Sequence, residues 1–297
     1  MIAQVKGGLG NQLSILAAGL TWSRRGRCEL RYDISSYPRD TYYQCSFETA
    51  PLCRALGIEP VTANGDEQRV GETLPWRLRF GLGQGTFLLA GYYQSRRHVG
   101  AAVPEIAAAL ALEAEELGFG AHRLWREASM RPTVAVHFRR LHGVAFGGRA
   151  PHPDLALLGP DYYRRALGHA TRGLDTPRIL AFSDDPAWLD EQDWLDGYDW
   201  VNVEKEAPPA ASLFVLLLMA RCRALVAANS TLSWWSGLLR HVSDPSAVLV
   251  APDMTCWEPS ITLGREWHCV RTAVPAGLYV HSTLPQHLKP ADLTQDF

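Results

Sequence analysis

His137-Phe138-Arg139-Arg140 places two guanidinium groups at the end of a β-branched, apolar stretch, Thr133 to Phe138, and ahead of a Gly- and Pro-rich loop from Leu141 to Pro160. Paired arginines at a strand end offer cations to an anionic ligand. Successive residues of an extended chain point to opposite faces, so one of the two is expected to enter a crevice while the other turns away. An arginine bidentate to phosphate contributes about 1.5 to 3 kcal/mol per charge-assisted hydrogen bond, against about 0.3 to 1 kcal/mol from a helix dipole at an exposed site. Arginine would therefore dominate recognition of a diphosphate, with Arg139, or Arg140, in that role.

Three further clusters suit the same ligand. Gly7-Gly8-Leu9-Gly10-Asn11-Gln12 reads as a strand-to-helix turn whose glycines let a ligand approach the backbone and the unpaired N–H groups of a helix start. It is no dinucleotide fingerprint, because Leu13 stands at the third glycine position, and no Lys-[Ser/Thr] follows as a P-loop requires. Asn229-Ser230-Thr231-Leu232-Ser233-Trp234-Trp235 is a strand end feeding a hydroxyl-lined helix start, which suits a phosphate or is simply a cap followed by core tryptophans. In Phe182-Ser183-Asp184-Asp185-Pro186, Asp185 is explained as a helix cap, while Asp184 could accept from a ribose hydroxyl or a guanine N–H. A metal held by the two aspartates is the lesser alternative.

The elements that must position these residues alternate between apolar strands and helical patterns, the mark of parallel α/β architecture. A strand is predicted over Met1 to Val5, a turn over Gly7 to Gln12 and a helix over Leu13 to Arg25. Loop-rich ground from about Arg31 to Gly85 follows, then a strand from Phe87 to Tyr93 and a helix from Ala101 to Leu117. In the second half, Asp161 is expected to cap a helix through His169, Arg178 to Phe182 to form a strand, and a helix to run from Asp185-Pro186 to Leu195. A buried helix over Ser212 to Arg221, a strand over Ala224 to Ala228, a helix from Ser230 through His241 and a strand over Ala247 to Ala251 complete the pattern. Strand ends aimed at helix starts make a nucleotide crevice in open α/β sheets.

A length of 297 residues accommodates two packed halves, with the boundary placed so that 1–128 and 129–297 form separate domains. The 29 Lys+Arg against 31 Asp+Glu leave a formal charge of -2, which excludes a general nucleic-acid binder. Only Lys6, Lys205 and Lys289 are lysines. The cysteines Cys28, Cys45, Cys53, Cys222, Cys256 and Cys269 show no C-x-x-C spacing and are expected to be free thiols. The longest apolar run, Leu213 to Ala220, is far shorter than the roughly 18 to 20 residues of a membrane span. With no secretory pattern at the start, a cytoplasmic protein is expected, peripheral membrane association remaining open.

In order, G-G-L-G-N-Q at Gly7 to Gln12, G-Y-Y-Q-S at Gly91 to Ser95, H-F-R-R, F-S-D-D-P-x-W and N-S-T-L-S-W-W resemble the bacterial α-1,2-fucosyltransferases. Asp161-Tyr162-Tyr163 and Ala251-Pro252 extend the resemblance over most of the chain. It implies a GT-B glycosyltransferase with two Rossmann-like domains, the C-terminal one binding GDP-fucose and the N-terminal one on the acceptor side. The implied reaction moves L-fucose from GDP-β-L-fucose to the 2-hydroxyl of a terminal galactose, with inversion and without metal or other cofactor. Its implied donor site comprises His137, Arg139, Arg140, Asp184, Asn229, Ser230, Thr231, Gly8, Gly10, Asn11 and Gln12. Tyr92, Tyr93 and Gln94 are assigned to the galactose-terminated glycan acceptor, since aromatic rings stack on sugar faces.

One departure affects the mechanism. The family commonly reads H-x-R-R-G-D-Y, whereas Leu141, His142 and Gly143 follow the arginines here. His142 is the expected substitute general base, because an imidazole of pKa near 6.5 can take a proton at neutral pH; His152 and Asp154 share its loop. The missing aspartate leaves a rival, a nucleotide-sugar-binding protein with weak or no transferase activity; a second rival keeps the fold and mechanism and is a fucosyltransferase of different linkage.

Overall fold

The computed structural model describes residues 1–35, 37, 46–72, 85–140, 158–207, 211–253, 264–270 and 272. His142, His152 and Asp154 lie outside them, as do Cys45 and Cys256. In the first half, strands β1 (Ile2–Gln4), β2 (Arg31–Asp33), β3 (Glu59–Pro60), β4 (Gln68–Val70) and β5 (Phe87–Leu89) alternate with helices α1 (Leu9–Gly26), α2 (Ala50–Ala55), α3 (Arg96–Val99), α4 (Val103–Glu116) and α5 (Arg123–Met130). These strands form one parallel sheet in the order β3-β2-β1-β5-β4. β2, β3 and β4 fall in the ground expected as loop; strands of two or three residues give too little alternation to be read.

The second half runs β6 (Thr133–Phe138), α6 (Pro160–Ala170), β7 (Arg178–Ser183), α7 (Pro186–Asp190), β8 (Asp199–Asn202), α8 (Ala211–Arg221), β9 (Ala224–Val226), α9 (Thr231–Ser243), β10 (Val248–Pro252) and β11 (Trp267–Val270). Its parallel sheet has the order β11-β10-β9-β6-β7-β8. Counted from β6 this is the doubly wound Rossmann order, and the expected α/β class with two Rossmann-like sheets is what the chain adopts. The strand order reverses between β6 and β9, so ligands are expected beyond the carboxyl ends of those two strands.

β6 is central and buried along its whole length, as its β-branched run requires. Val134, Val136 and Phe138 pack on one face with Tyr162 and Tyr163 of α6. Ala135 belongs to the other face, whose core is continuous with the first sheet and contains Leu13, Leu16, Phe214 and Trp235. Alternation then puts Arg139 on the face toward the first half and Arg140 on the α6 face.

Local starts differ from several expectations. α1 begins at Leu9, not Leu13, because Gly8 is its N-cap and its carbonyl accepts from Asn11 N at 2.9 Å and Gln12 N at 3.0 Å. The turn is Gly7 alone, at φ +72, which favours glycine. Gly159, rather than Asp161, caps α6, with Pro160 at its first position and Asp161 in the first turn, where a carboxylate suits the helix dipole. The helix capped by Asp185 ends at Asp190 instead of reaching Leu195. β5 stops at Leu89, short of Tyr93 at φ +53.

Candidate functional site

Two of the sequence clusters meet where the halves join. A Cβ at Gly10 would lie 2.6 Å from the Thr231 carbonyl carbon and 2.7 Å from Leu232 N, so the first turns of α1 and α9 touch backbone to backbone. Ser14 Oγ donates to Gly10 O at 2.9 Å and accepts from Trp235 Nε1 at 2.8 Å, a buried link one turn deeper. The Gly-rich motif and N-S-T-L-S-W-W are thus one unit. Ser230 is the N-cap of α9, its Oγ accepting from Leu232 N at 3.3 Å. Thr231 Oγ1 makes no hydrogen bond among the described residues and is half-buried at the helix start. Asn229 is buried just before it.

Beside this junction, at the carboxyl end of β6, Arg139 Nη1 donates to Asp184 Oδ2 at 2.7 Å, and Arg140 N donates to Asp184 Oδ1 at 2.6 Å. Asp184 therefore orients the arginine pair, each of its oxygens accepting one of these two bonds. The Arg139 guanidinium keeps its remaining N–H groups on the crevice face, 29% exposed. Arg140 turns to the other face and stacks over the Trp188 ring, 4.3 Å from its centroid. The two arginines diverge as the strand rule requires.

His137 shares the Arg139 face and is buried, with Nδ1 unpartnered. Burial, then the Arg139 charge, pulls its pKa down to about 3, so it is a neutral imidazole near pH 7. Sequence reasoning missed Glu204. Strand β7 pairs with β8 up to Ala181↔Asn202, which brings Glu204, just beyond β8, level with the Ser183-Asp184 end of β7. Glu204 has no hydrogen-bond or ion-pair partner among the described residues, and burial followed by Asp184 repulsion raises its pKa to about 6. The readable signal was the alternation of Val201, Asn202 and Val203 ending in an acid.

Other expected contacts are corrected. Gln12 is fully buried: Nε2 donates to Gly7 O at 2.9 Å and Ser46 O at 2.8 Å, and Oε1 accepts from Glu48 N at 2.9 Å, Thr49 N at 3.2 Å and Thr49 Oγ1 at 3.2 Å. It ties down residues 46–49 and has nothing to offer a donor. Tyr93 is also fully buried, its hydroxyl donating to Val70 O and its ring edge-on to Trp22 at 5.1 Å, so it is core and cannot reach a glycan. Gln94 Nε2 donates to Asn11 Oδ1 at 2.7 Å, bracing the α1 start. Tyr92 is half-buried, with Lys6 Nζ 4.5 Å from its ring centroid at the carboxyl end of the first sheet. The room at Gly10, expected to admit a ligand, is taken by the backbone of α9, and Gly8 serves as the N-cap of α1.

Cys28, Cys53, Cys222 and Cys269 are free thiols. Among the described residues no group of three or more His, Cys, Asp or Glu could hold a metal, and no helix is long and apolar enough to cross a membrane.

Fold and site together define a Rossmann-ordered α/β chain with an arginine pair at the carboxyl end of its central strand, where the strand order reverses. No family model matches it. The chain is 28% identical over 122 residues to the O-antigen biosynthesis glycosyltransferase WbnK of Escherichia coli, a match covering 40% of this chain and 38% of that protein. Among solved structures it is similar to the fucosyltransferase NodZ from Bradyrhizobium, at 15% identity and TM-score 0.45 over 80% of this chain and 92% of that one. The NodZ α-1,6-fucosyltransferase soaked with GDP-fucose gives 14% identity and TM-score 0.46 over 86% and 95% of the two chains. A mutant of Arabidopsis thaliana FUT1 in complex with GDP gives 11% and 0.41, over 80% and 68%.

Proposed function

We propose that the chain is an inverting, metal-independent glycosyltransferase that moves L-fucose from GDP-β-L-fucose to the 2-hydroxyl of a terminal galactose. In this reading residues 129–297 hold the donor and residues 1–128 face the acceptor. The observation that carries it is Arg139: a guanidinium held by Asp184 at the strand-order reversal, beside the open start of α9. The glycosyltransferase name of the Escherichia coli relative agrees with the general class.

Breaking the fucosyl C1–O bond leaves negative charge on the β-phosphate of GDP. Arg139 and the α9 start, with Ser230 and Thr231, are fixed donors for that charge and need no reorganisation as it develops. The galactose O2 attacks C1 from the opposite face, which inverts its configuration, and the O2 proton passes to a base. Neutral His137 beneath Arg139 adds no charge that would compete with the guanidinium. Glu204, poised near neutrality at the same sheet edge, is the described group whose pKa suits proton transfer.

Incubation with GDP-fucose and lactose in EDTA tests the reading: release of GDP with a new α-1,2-linked trisaccharide is expected. GDP-fucose binding without turnover on any galactoside would overturn the transferase. A product of another linkage, assigned by NMR, would keep the transferase and overturn the 2-hydroxyl assignment.

A further inference from the structure

Away from the crevice, α6 and β11 border an open concavity of about 380 Å³. Its polar lining is Arg165, His169 and Arg172 from the helix side and His268 and Cys269 from the strand, with no Asp or Glu. The His169 and His268 rings stand 4.1 Å apart, centroid to centroid. Arg172 has no acidic partner among the described residues, and Arg165 Nε is turned to the Asp161 backbone oxygen at 3.2 Å. The neighbouring carboxylate, Asp253, is engaged by Thr272 N at 2.8 Å and Thr272 Oγ1 at 2.9 Å; burial, then Asp253, raises the pKa of the Cys269 thiol.

The helix dipole favours a cation in the last turn and so accounts for His169, but not for His268 on the strand. Burial, then His268 and Arg172, lower the His169 pKa. Gly168 adds an independent mark. It lies inside α6, where glycine costs about 1 kcal/mol relative to alanine, and no atom stands within 4 Å of where its Cβ would be. No packing or positive φ requires glycine there; what it leaves is room in the concavity.

We propose that this concavity is a second anion site that takes a phosphate group, separate from the crevice. α6 returns from the carboxyl edge of the sheet, where β6 ends, to the amino edge, where β7 begins, so its last turn lies at the edge opposite Arg139. A phosphate would accept a charge-assisted hydrogen bond from Arg172 and hydrogen bonds from the two imidazoles. A soluble phosphate ester and a lipid headgroup present the same phosphate chemistry to this lining.

The test titrates inorganic phosphate into the protein with GDP in excess to occupy the crevice, following the histidine ring signals by NMR. Saturable shifts of His169 and His268 are expected, with the His169 pKa raised by the bound anion. Arg172→Gln should weaken binding by about tenfold or more, and Gly168→Leu should block it, both without change in GDP-fucose turnover. The lipid arm uses co-sedimentation with phosphatidylcholine vesicles with and without phosphatidate: binding that needs phosphatidate and is lost in Arg172→Gln identifies a headgroup. Phosphate binding without vesicle binding identifies a soluble ester. Absence of saturable shifts together with absence of Arg172-dependent vesicle binding, or an equal response in Arg172→Gln and Gly168→Leu, would overturn the site.

Discussion

Arg139 and Asp184 form a charge-assisted pair at 2.7 Å across the carboxyl ends of two neighbouring strands, and the same carboxylate takes the backbone N–H of Arg140 at 2.6 Å. One acid therefore fixes both the backbone and the side chain that face the crevice. Arg139→Ala should lower kcat by about 10² to 10³, the effect of removing one preorganised oxyanion donor. Asp184→Asn should lower it less, by about tenfold, because the guanidinium persists but loses its anchor. Steady-state kinetics on folded variants decide the matter; an asparagine variant as impaired as the alanine one would mean that Asp184 itself touches the donor.

The α1–α9 contact predicts a steric penalty at Gly10. Because the atoms that a Cβ would meet at 2.6 and 2.7 Å are backbone, no side chain can swing away to relieve the clash. Gly10→Ala should destabilise the fold by about 1 to 3 kcal/mol and weaken GDP binding by parting the two helix starts. Urea unfolding and GDP calorimetry measure both; a variant of unaltered stability would show that the halves do not meet in this way.

Much of this arrangement was legible in advance, for reasons that particular residues make plain. Thr133 to Phe138 is a β-branched run long enough to read as a buried strand, so the emergence of Arg139 and Arg140 from its end followed from the alternation of an extended chain. Ser230 and Asp185 were readable as caps because their side chains have a local task. Gln12 and Tyr93 were misassigned because their partners, at residues 46–49 and at Val70, are distant in sequence and no local signal announces them. Glu204 escaped notice for a related reason: its environment exists only once β8 pairs with β7. The expected base, His142, lies outside the described residues.

Glu204 makes stability depend on pH in a definite direction. Its pKa is raised from 4.5 to about 6 in the folded protein, so the folded state holds the proton more tightly than the unfolded chain does. The associated stabilisation is complete below pH 4.5 and is lost as pH rises through about 6, leaving a charged, poorly solvated carboxylate above that. Glu204→Gln should therefore gain about 1 kcal/mol at pH 8, after discounting for solvent screening, and nothing at pH 4. Denaturant titrations at the two pH values check this. An equal gain at both would show that charge is not the cause.

Gln12 offers a means of separating positioning from binding. Its side chain joins five hydrogen-bond partners in a dry setting and bridges Gly7, Ser46, Glu48 and Thr49. Gln12→Ala leaves those buried groups without partners and should cost about 2 to 4 kcal/mol of stability. Gln12→Glu should do no better, since it replaces the Nε2 donor with an oxygen facing the Gly7 and Ser46 carbonyls. Under conditions where the variants remain folded, GDP affinity should stay within about threefold of the parent, because no atom of Gln12 is available to the ligand. A large loss of GDP affinity with unchanged melting temperature would reverse the assignment and return Gln12 to the donor site.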